Sequence, residues 1–479
     1  MDDSFLAQLF LGLKTNEFGD ARDSVVADRI ARYFLPNQRL KYLGLEGAGR
    51  HGGILLFSEQ DDSGRPFRKI VIKYPLSAQM DDDLRNEAKW LNVLKGAEHI
   101  GRVIPLAEAE INLTGTGKRP TVALEYIPNG TLRQFRDNFA DYFEEYADEG
   151  FPMRVPSRLL WRVFLCLVRQ VAAMAYPPQL EDPDAPAVRE TVKPGVPPLA
   201  LTQNSSHLDN FLIGDISNIA DEHNPVPIIK LIDFGRGVIE DSFMEAYETN
   251  IWGAAYALVS IALPYDISRR EREKDNEYYY PAEDRTFVTN CPSQFLDMNN
   301  MDWKLRTLIA RCMAVELDDL PTLEEVLAEC EDAVANRTID DYGQPLTMHE
   351  KSAEKDEYIR QILRDCIFNA RVKDEPPRGY DLPHPPRQLG TTLLGIRCMG
   401  KAAYQTTAGR RRRDRASVGP RTFAQRMDDM VNRAAPIPAP RQETRRQTLF
   451  ERFQRRVRSI QNLRGAIRDT WSTRSSDVD

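Results

Sequence analysis

Hydrophobic and polar positions along the first 130 residues alternate between two periods. Ile70-Val71-Ile72-Lys73, reached after an Asp62-Ser63-Gly64 turn, is a β-branched run that predicts a strand. From Asp81 to Lys95 the spacing becomes helical: Leu84, Ala88 and Leu91 share one stripe, aspartates in the first turn complement the helix dipole, and Gly96 marks the end. Glu87 falls on that apolar stripe. A carboxylate there is either a solvated group at the stripe edge or a partly buried one that requires a cation or several donors. Thr121 to Tyr126 predicts another strand, and Leu159 to Tyr176 is apolar at helical spacing, its Met and aromatic residues read as core. Residues 177–198, rich in Pro and acidic residues, read as a surface insertion. Ile228 to Ile232 is a short apolar strand, and helical spacing returns over Leu305–Met313 and Glu354–Ala370.

A chain of 479 residues holds a core domain of about 300 residues with extensions at both ends. Cysteines at 166, 291, 312, 330, 366 and 398 show neither Cys-x-x-Cys nor metal-ligand spacing, and read as reduced, mostly core thiols of a cytoplasmic or nuclear protein. The N-terminus is acidic and its apolar stretch too short for a signal peptide or a membrane span. The net charge of −8 conceals an asymmetry, because residues 387–479 carry +13 and the preceding residues −21. Pro376-Pro377 and Pro383-His384-Pro385-Pro386 mark the join.

Three readings of the basic tail stay open. It is a solvated disordered segment, or a nuclear-localisation or nucleic-acid patch centred on Arg410–Arg413, or it contains an amphipathic helix over 448–471. In that helix Leu449, Phe450, Phe453, Val457, Ile460, Leu463, Ile467 and Trp471 share one side amid arginines. It would dock on an anionic membrane, a calmodulin-like protein or the acidic body itself.

The candidate chemistry begins at Gly47-Ala48-Gly49-Arg50-His51-Gly52-Gly53-Ile54. Taken alone this is either a glycine-rich hairpin turn or a loop whose backbone approaches phosphates. The strand ending in Lys73 follows, then Glu87, the run Leu124-Glu125-Tyr126-Ile127, the stretch Thr202 to Asn210, and Asp233-Phe234-Gly235. In this order the motifs resemble the protein kinase superfamily over roughly residues 38–335, and the stretch from Lys73 to Ile104 is most similar to divergent kinase-like proteins of filamentous fungi. The resemblance implies an α+β, bilobal protein-kinase-like fold, with a small antiparallel-sheet lobe bearing one helix (38–127) and a larger, mainly helical lobe (128–335). A helical extension 1–37 precedes it, and a helical extension 336–375 and a Pro-rich linker with Arg-rich tail, 376–479, follow.

It also implies roles. Gly47, Gly49 and Gly52 would cover the phosphates of ATP, Lys73 paired with Glu87 would bind them, and the backbone of Glu125 and Ile127 would pair with adenine beside Leu124. Asn210 and Asp233 would hold Mg2+. The same resemblance exposes gaps. With Asn210 in the metal-ligand position, Gln203, Asn204 and Ser205 stand where the family has His, Arg and the catalytic Asp, and a neutral serine is a poor proton acceptor. Asp209 cannot be slid into that role, because Gly214 would then fall at the metal ligand. His207 occupies the position of the loop lysine. Asn250 follows Asp233 by 17 positions, leaving no room for a peptide-docking loop. Asn250-Ile251-Trp252 matches the start of a buried helix, Ala246-Tyr247-Glu248 imitates Ala-Pro-Glu, and Leu320 replaces the arginine that would pair with that glutamate. The implied function is a pseudokinase that binds nucleotide and serves an unidentified protein partner. The alternatives are an atypical Ser/Thr or small-molecule phosphotransferase and a structural module without nucleotide.

Overall fold

The computed structural model describes residues 31–370, except 32, 35–38, 50–51, 76–77, 106–109, 113–117, 147–153, 179, 181–184, 220, 264, 266, 268–270, 272–273 and 343–352. The chain divides into a unit ending at Lys401 and a second from Ala402 to Asp479. The second unit, with the arginine cluster and the expected helix 448–471, lies outside the described residues, as does most of the extension 1–37.

Strands β1 (Leu40–Gly49), β2 (Gly52–Gln60), β3 (Pro66–Tyr74) and β6 (Val122–Glu125) form an antiparallel sheet in that spatial order. Its buried face gathers Leu40, Leu55, Phe57, Ile70, Ile72, Tyr74 and Ala123, with Phe34 from the N-terminal side set edge-on against Phe57 at 5.6 Å. A small hairpin of β4 (Glu110–Asn112) and β5 (Lys118–Pro120) precedes β6. Helix α1 (Asp81–Val93) carries the predicted acidic first turn. Its buried positions are Leu84, Glu87, Trp90, Leu91 and Val93, so the buried face is centred on Glu87, with Leu84 and Leu91 of the predicted stripe on one side and Trp90 on the other.

The rest is mainly helical. Helix α2 (Leu132–Tyr146) buries Leu132, Phe135, Phe139 and Tyr142, a spacing of three and four that keeps one face inward. Helix α3 (Ser157–Ala175) is buried along nearly its whole length, each large side chain contributing about 1.5–3 kcal/mol. Against α3 pack α4 (Phe243–Ala262), α7 (Leu323–Asn336) and strand β9 (Ile229–Leu231). The short helix α5 (Ser293–Leu296) and α6 (Trp303–Cys312) follow a hairpin of β11 (Asn276–Tyr280) and β12 (Arg285–Thr289). Strand β9 pairs with β8 (Phe211–Ile213), and β10 (Val238–Ile239) with β7 (Leu201–Thr202). Helix α8 (Asp356–Leu363) ends in a π-helical turn, Arg364–Phe368, that packs on α2, with Asn138 Nδ2 donating to the Cys366 carbonyl at 2.9 Å. The fold class is thus α+β, with a small antiparallel sheet and eight α-helices among the described residues. No helix among them is long and apolar enough to cross a membrane. The five described cysteines are free and buried.

One sequence expectation is refined here and one is corrected. The 177–198 segment is mostly exposed or half-buried, as expected, but it is tied to the body at two points: Val188 bridges to Ala97, and Glu190 is 3% exposed. Composition reads Glu190 as solvated, but the His99 amide and ring satisfy its two oxygens at 2.7 Å each. Asn250 does not start a helix. Ser242 caps α4 by accepting from the Glu245 amide at 3.2 Å, and Asn250 lies two turns further in, buried. The cap closes the segment after Asp233 at nine residues, 234–242, so the helix begins earlier than the motif predicts.

Candidate functional site

Period-2 alternation in β3 and the helical stripe of α1 turn Lys73 and Glu87 toward each other, and Lys73 Nζ donates to Glu87 Oε2 at 2.6 Å. Asp233, on the loop leaving β9, brings Oδ1 to 3.7 Å from the same ammonium. Side-chain exposures fall from 28% at Asp233 through 13% at Lys73 to 3% at Glu87, so the cluster opens to solvent at the Asp233 end. Burial disfavours the ammonium of Lys73, but Asp233 and Glu87 outweigh it and hold Lys73 above its ordinary value. Burial pushes Glu87 up to about 7 against the pull of Lys73, and the charge of Asp233 adds to the rise. The two carboxylates share one cation, which raises Lys73 and adds to the rise of Glu87, whose larger cause is burial.

The loop 202–210 is built on amides. Gln203, 1% exposed, donates through Nε2 to the Asp233 carbonyl at 2.8 Å, and its Oε1 accepts from the Ser205 amide at 2.8 Å. Asn250 accepts from the Gln203 amide at 3.3 Å and donates to the Leu201 carbonyl at 2.8 Å. Asn210 Nδ2 donates to the Ser205 carbonyl at 2.8 Å and to Ser205 Oγ at 3.1 Å, so Oδ1 is the acceptor atom that these two bonds leave unused. Gly253 permits the close approach of α4, since a Cβ there would lie 2.8 Å from Ser206 Cβ. Of the three non-glycine residues with positive φ among the described residues, Asn204 (φ 60°) and Asp233 (φ 64°) belong to this site. Such backbone costs about 1–3 kcal/mol and persists where the surroundings over-determine it.

The remaining predicted residues are placed as follows. Asp209 is paired with Arg133 Nε at 2.7 Å and lies 3.6 Å from His207 Nδ1. Burial alone would raise Asp209, but donation from His207 and Arg133 holds it below its ordinary value. His207 is therefore engaged with Asp209. Glu125 pairs with Lys230 at 2.7 Å and its amide donates to the Arg102 carbonyl at 2.9 Å, while Ile127 is buried at the exit of β6. Leu124 is buried opposite Val103. Gly47, Gly49 and Gly52 lie at the β1–β2 hairpin, where Gly49 pairs with Gly52, and its tip, Arg50 and His51, falls outside the described residues. A Cβ on Gly52 would lie 2.4 Å from the Tyr74 carbonyl oxygen, and one on Gly53 2.2 Å from the Tyr74 ring. Glycine at those two positions is thus required by Tyr74 whatever the hairpin binds.

Sequence reasoning missed Gln203 as the bridge between the two loops and Trp90, whose Nε1 donates to the Gly237 carbonyl at 2.9 Å. It also missed Tyr247, whose hydroxyl donates to the Pro321 carbonyl at 2.7 Å and ties α4 to the turn where the expected ion pair is absent. Only the burial of Trp90 was hinted at, by its place between Glu87 and Leu91. A separate cavity of about 200 Å³, lined in part by Trp161, Tyr280, Trp303, Arg311 and Arg337, contains none of the predicted site residues.

The bridge is testable. Gln203→Ala would leave the Asp233 carbonyl and the Ser205 amide without their partner, at a cost of about 1–3 kcal/mol for each buried group. Urea unfolding should show that loss, and an unchanged midpoint would mean that water replaces the amide without penalty. No protein-family model and no curated protein matches this chain.

Proposed function

We propose that the chain is a protein-kinase-like, nucleotide-binding protein that acts as a regulatory or scaffolding module without transferring phosphate: a pseudokinase. In this reading the sheet and α1 form the small lobe, and the helices from α2 onward the large one. The observation that carries it is the cluster of Glu87 and Asp233 about the ammonium of Lys73, with the negative charge of the Asp233 carboxylate at its open end. A cation beside Asp233 offsets that charge. Mg2+ takes oxygen ligands and keeps waters and substrate phosphates in its shell, so the Asp233 carboxylate and Asn210 Oδ1 are a suitable pair to hold it. Lys73 would meet the phosphates, and the backbone of Glu125 and Ile127 the adenine. The absent carboxylate at Ser205 and the capture of Asp209 by Arg133 argue against proton abstraction from an acceptor.

A thermal-shift titration tests the reading. Mg-ATP at about a hundred times its dissociation constant should stabilise the fold by about 2.7 kcal/mol. Lys73→Met should abolish the shift, and Asp233→Asn should remove its dependence on Mg2+. A structural module that binds no nucleotide is the second reading, and the packing of Tyr74 under the hairpin favours it, since that packing accounts for Gly52 and Gly53 without a ligand. The absence of any shift, in protein shown to be folded, would establish that second reading.

A further inference from the structure

Away from Lys73, the interior holds a group of two imidazoles and one thiol. His99 lies between α1 and β6, Cys166 in the middle of α3, and His223 between β8 and β9. Their exposures are 0%, 2% and 4%. One ligating atom from each lies within 4.8 Å of the other two. Cys166 Sγ is 3.9 Å from His223 Nδ1, and the two ring centroids are 5.0 Å apart.

One imidazole has a carboxylate bonded to a ring nitrogen, and the other has one nearby. His99 Nδ1 is 2.7 Å from Glu190 Oε2, and His223 Nε2 is 3.5 Å from Glu222 Oε1. Arg169 holds Glu222 through two bonds of 2.7 Å and also donates to the Glu190 carbonyl at 2.6 Å. His99 Nε2 remains fully buried with no hydrogen-bond partner. With its Nδ1 proton shared with Glu190, the neutral ring has its lone pair on Nε2, within 4.8 Å of Cys166 Sγ. A lone pair, a second imidazole and a thiol at this spacing form a donor set for a borderline-soft divalent cation. The Glu190 carboxylate on the far nitrogen of His99 is the kind of outer-shell partner that fixes tautomer and orientation in metal-binding histidines.

We propose that His99 Nε2, Cys166 Sγ and His223 Nδ1 bind Zn2+ as a structural site. Zinc–nitrogen and zinc–sulfur bonds of about 2.0–2.3 Å place neighbouring ligands about 3.3–3.6 Å apart in a tetrahedron. The side chains reach that spacing with shifts of about 1 Å or less. Glu222 Oε1, 3.8 Å from His99 Nε2, or a water completes the shell. Binding releases to solvent the Cys166 thiol proton and the Nε2 proton of His99 where the ring carries one. Burial of all three ligands closes the ion to substrate, so it braces the fold. It joins the α1–β6 connection to α3 and to the β8–β9 loop. The His99 carbonyl accepts from the Leu231 amide at 2.9 Å, so the brace reaches the strand that delivers Asp233.

Full-length protein purified without chelator should carry about one zinc ion per chain by elemental mass spectrometry. Chelator-stripped protein should unfold at lower temperature and recover on adding Zn2+. Loaded with Co2+, it should show intense visible bands of a tetrahedral site and a thiolate-to-cobalt charge-transfer band. Cys166→Ala should lose that band, whereas Cys330→Ala, which removes a buried thiol outside the group, should keep it. Should Cys166→Ala fail to fold, wild-type zinc content and the cobalt spectrum still decide. Zinc well below one ion per chain after reconstitution, or cobalt bound without the thiolate band, overturns the proposal and leaves a buried hydrogen-bonded network.

Discussion

Glu354→Ala should destabilise the chain by about 3–5 kcal/mol, the range for removing one partner of a buried ion pair. Glu354 is fully buried, and Oε1 lies 2.8 Å from Arg154 Nη2, itself 1% exposed. The same carboxylate accepts from the Ser157 and Arg158 amides at 2.9 Å each, the first two amides of α3, whose own N-cap, Pro156, offers no side-chain acceptor. One residue from the far end of the described chain thus neutralises a buried guanidinium and caps the central helix, where the dipole favours an anion. Adding Arg154→Leu to Glu354→Ala should recover part of the loss, because no unpaired charge remains buried, but not the part due to the cap. Urea unfolding of the wild type and these two variants measures this. A Glu354→Ala midpoint close to wild type would show that water enters and solvates Arg154.

Phosphate transfer from Mg-ATP to generic Ser/Thr peptides should stay at or near background in the wild-type protein, and Ser205→Asp should restore less than about tenfold. A positioned general base is worth about 10²–10⁴-fold, so a gain of that size would show that only the carboxylate is missing. The structure gives a reason to expect less. The segment after Asp233 spans residues 234–242, and its central strand β10 is paired with β7, which leaves little chain to receive a peptide. Robust wild-type turnover lost in Asp233→Asn would overturn the pseudokinase reading in favour of an atypical phosphotransferase, since positioning and metal carry most phosphoryl-transfer catalysis. In that case His207→Ala should lower turnover more than binding if His207 reaches the transferring group. Its contact with Asp209 predicts instead that the two fall together.

The strand at Lys73 and the helix at Glu87 were legible because their periods differ, and each period states which side of its element faces inward. Two inward polar residues of opposite charge on adjacent elements then have to meet, and they do at 2.6 Å. The replacement of a carboxylate by Ser205 and the short interval from Asp233 to Asn250 were equally plain, since both depend on residue type and spacing alone.

What the sequence by itself determined is therefore the strand that carries Lys73, the helix that carries Glu87, the inward position of both residues, and the absence of a carboxylate at position 205. Only the tertiary structure decided which polar groups meet across long separations. Gln203 reaches the Asp233 carbonyl 30 residues away, Glu190 the His99 amide at 91, and Glu354 the Ser157 amide at 197. Periodicity is a local property that reports burial of apolar faces, whereas a buried amide, carboxylate or imidazole takes whichever partner the packing of distant segments supplies. The Pro-rich, acidic character of residues 177–198 announced a surface segment but not the burial of Glu190 within it, and the scattered positions of His99, Cys166 and His223 concealed their proximity because residues drawn from three separate segments have no spacing to read.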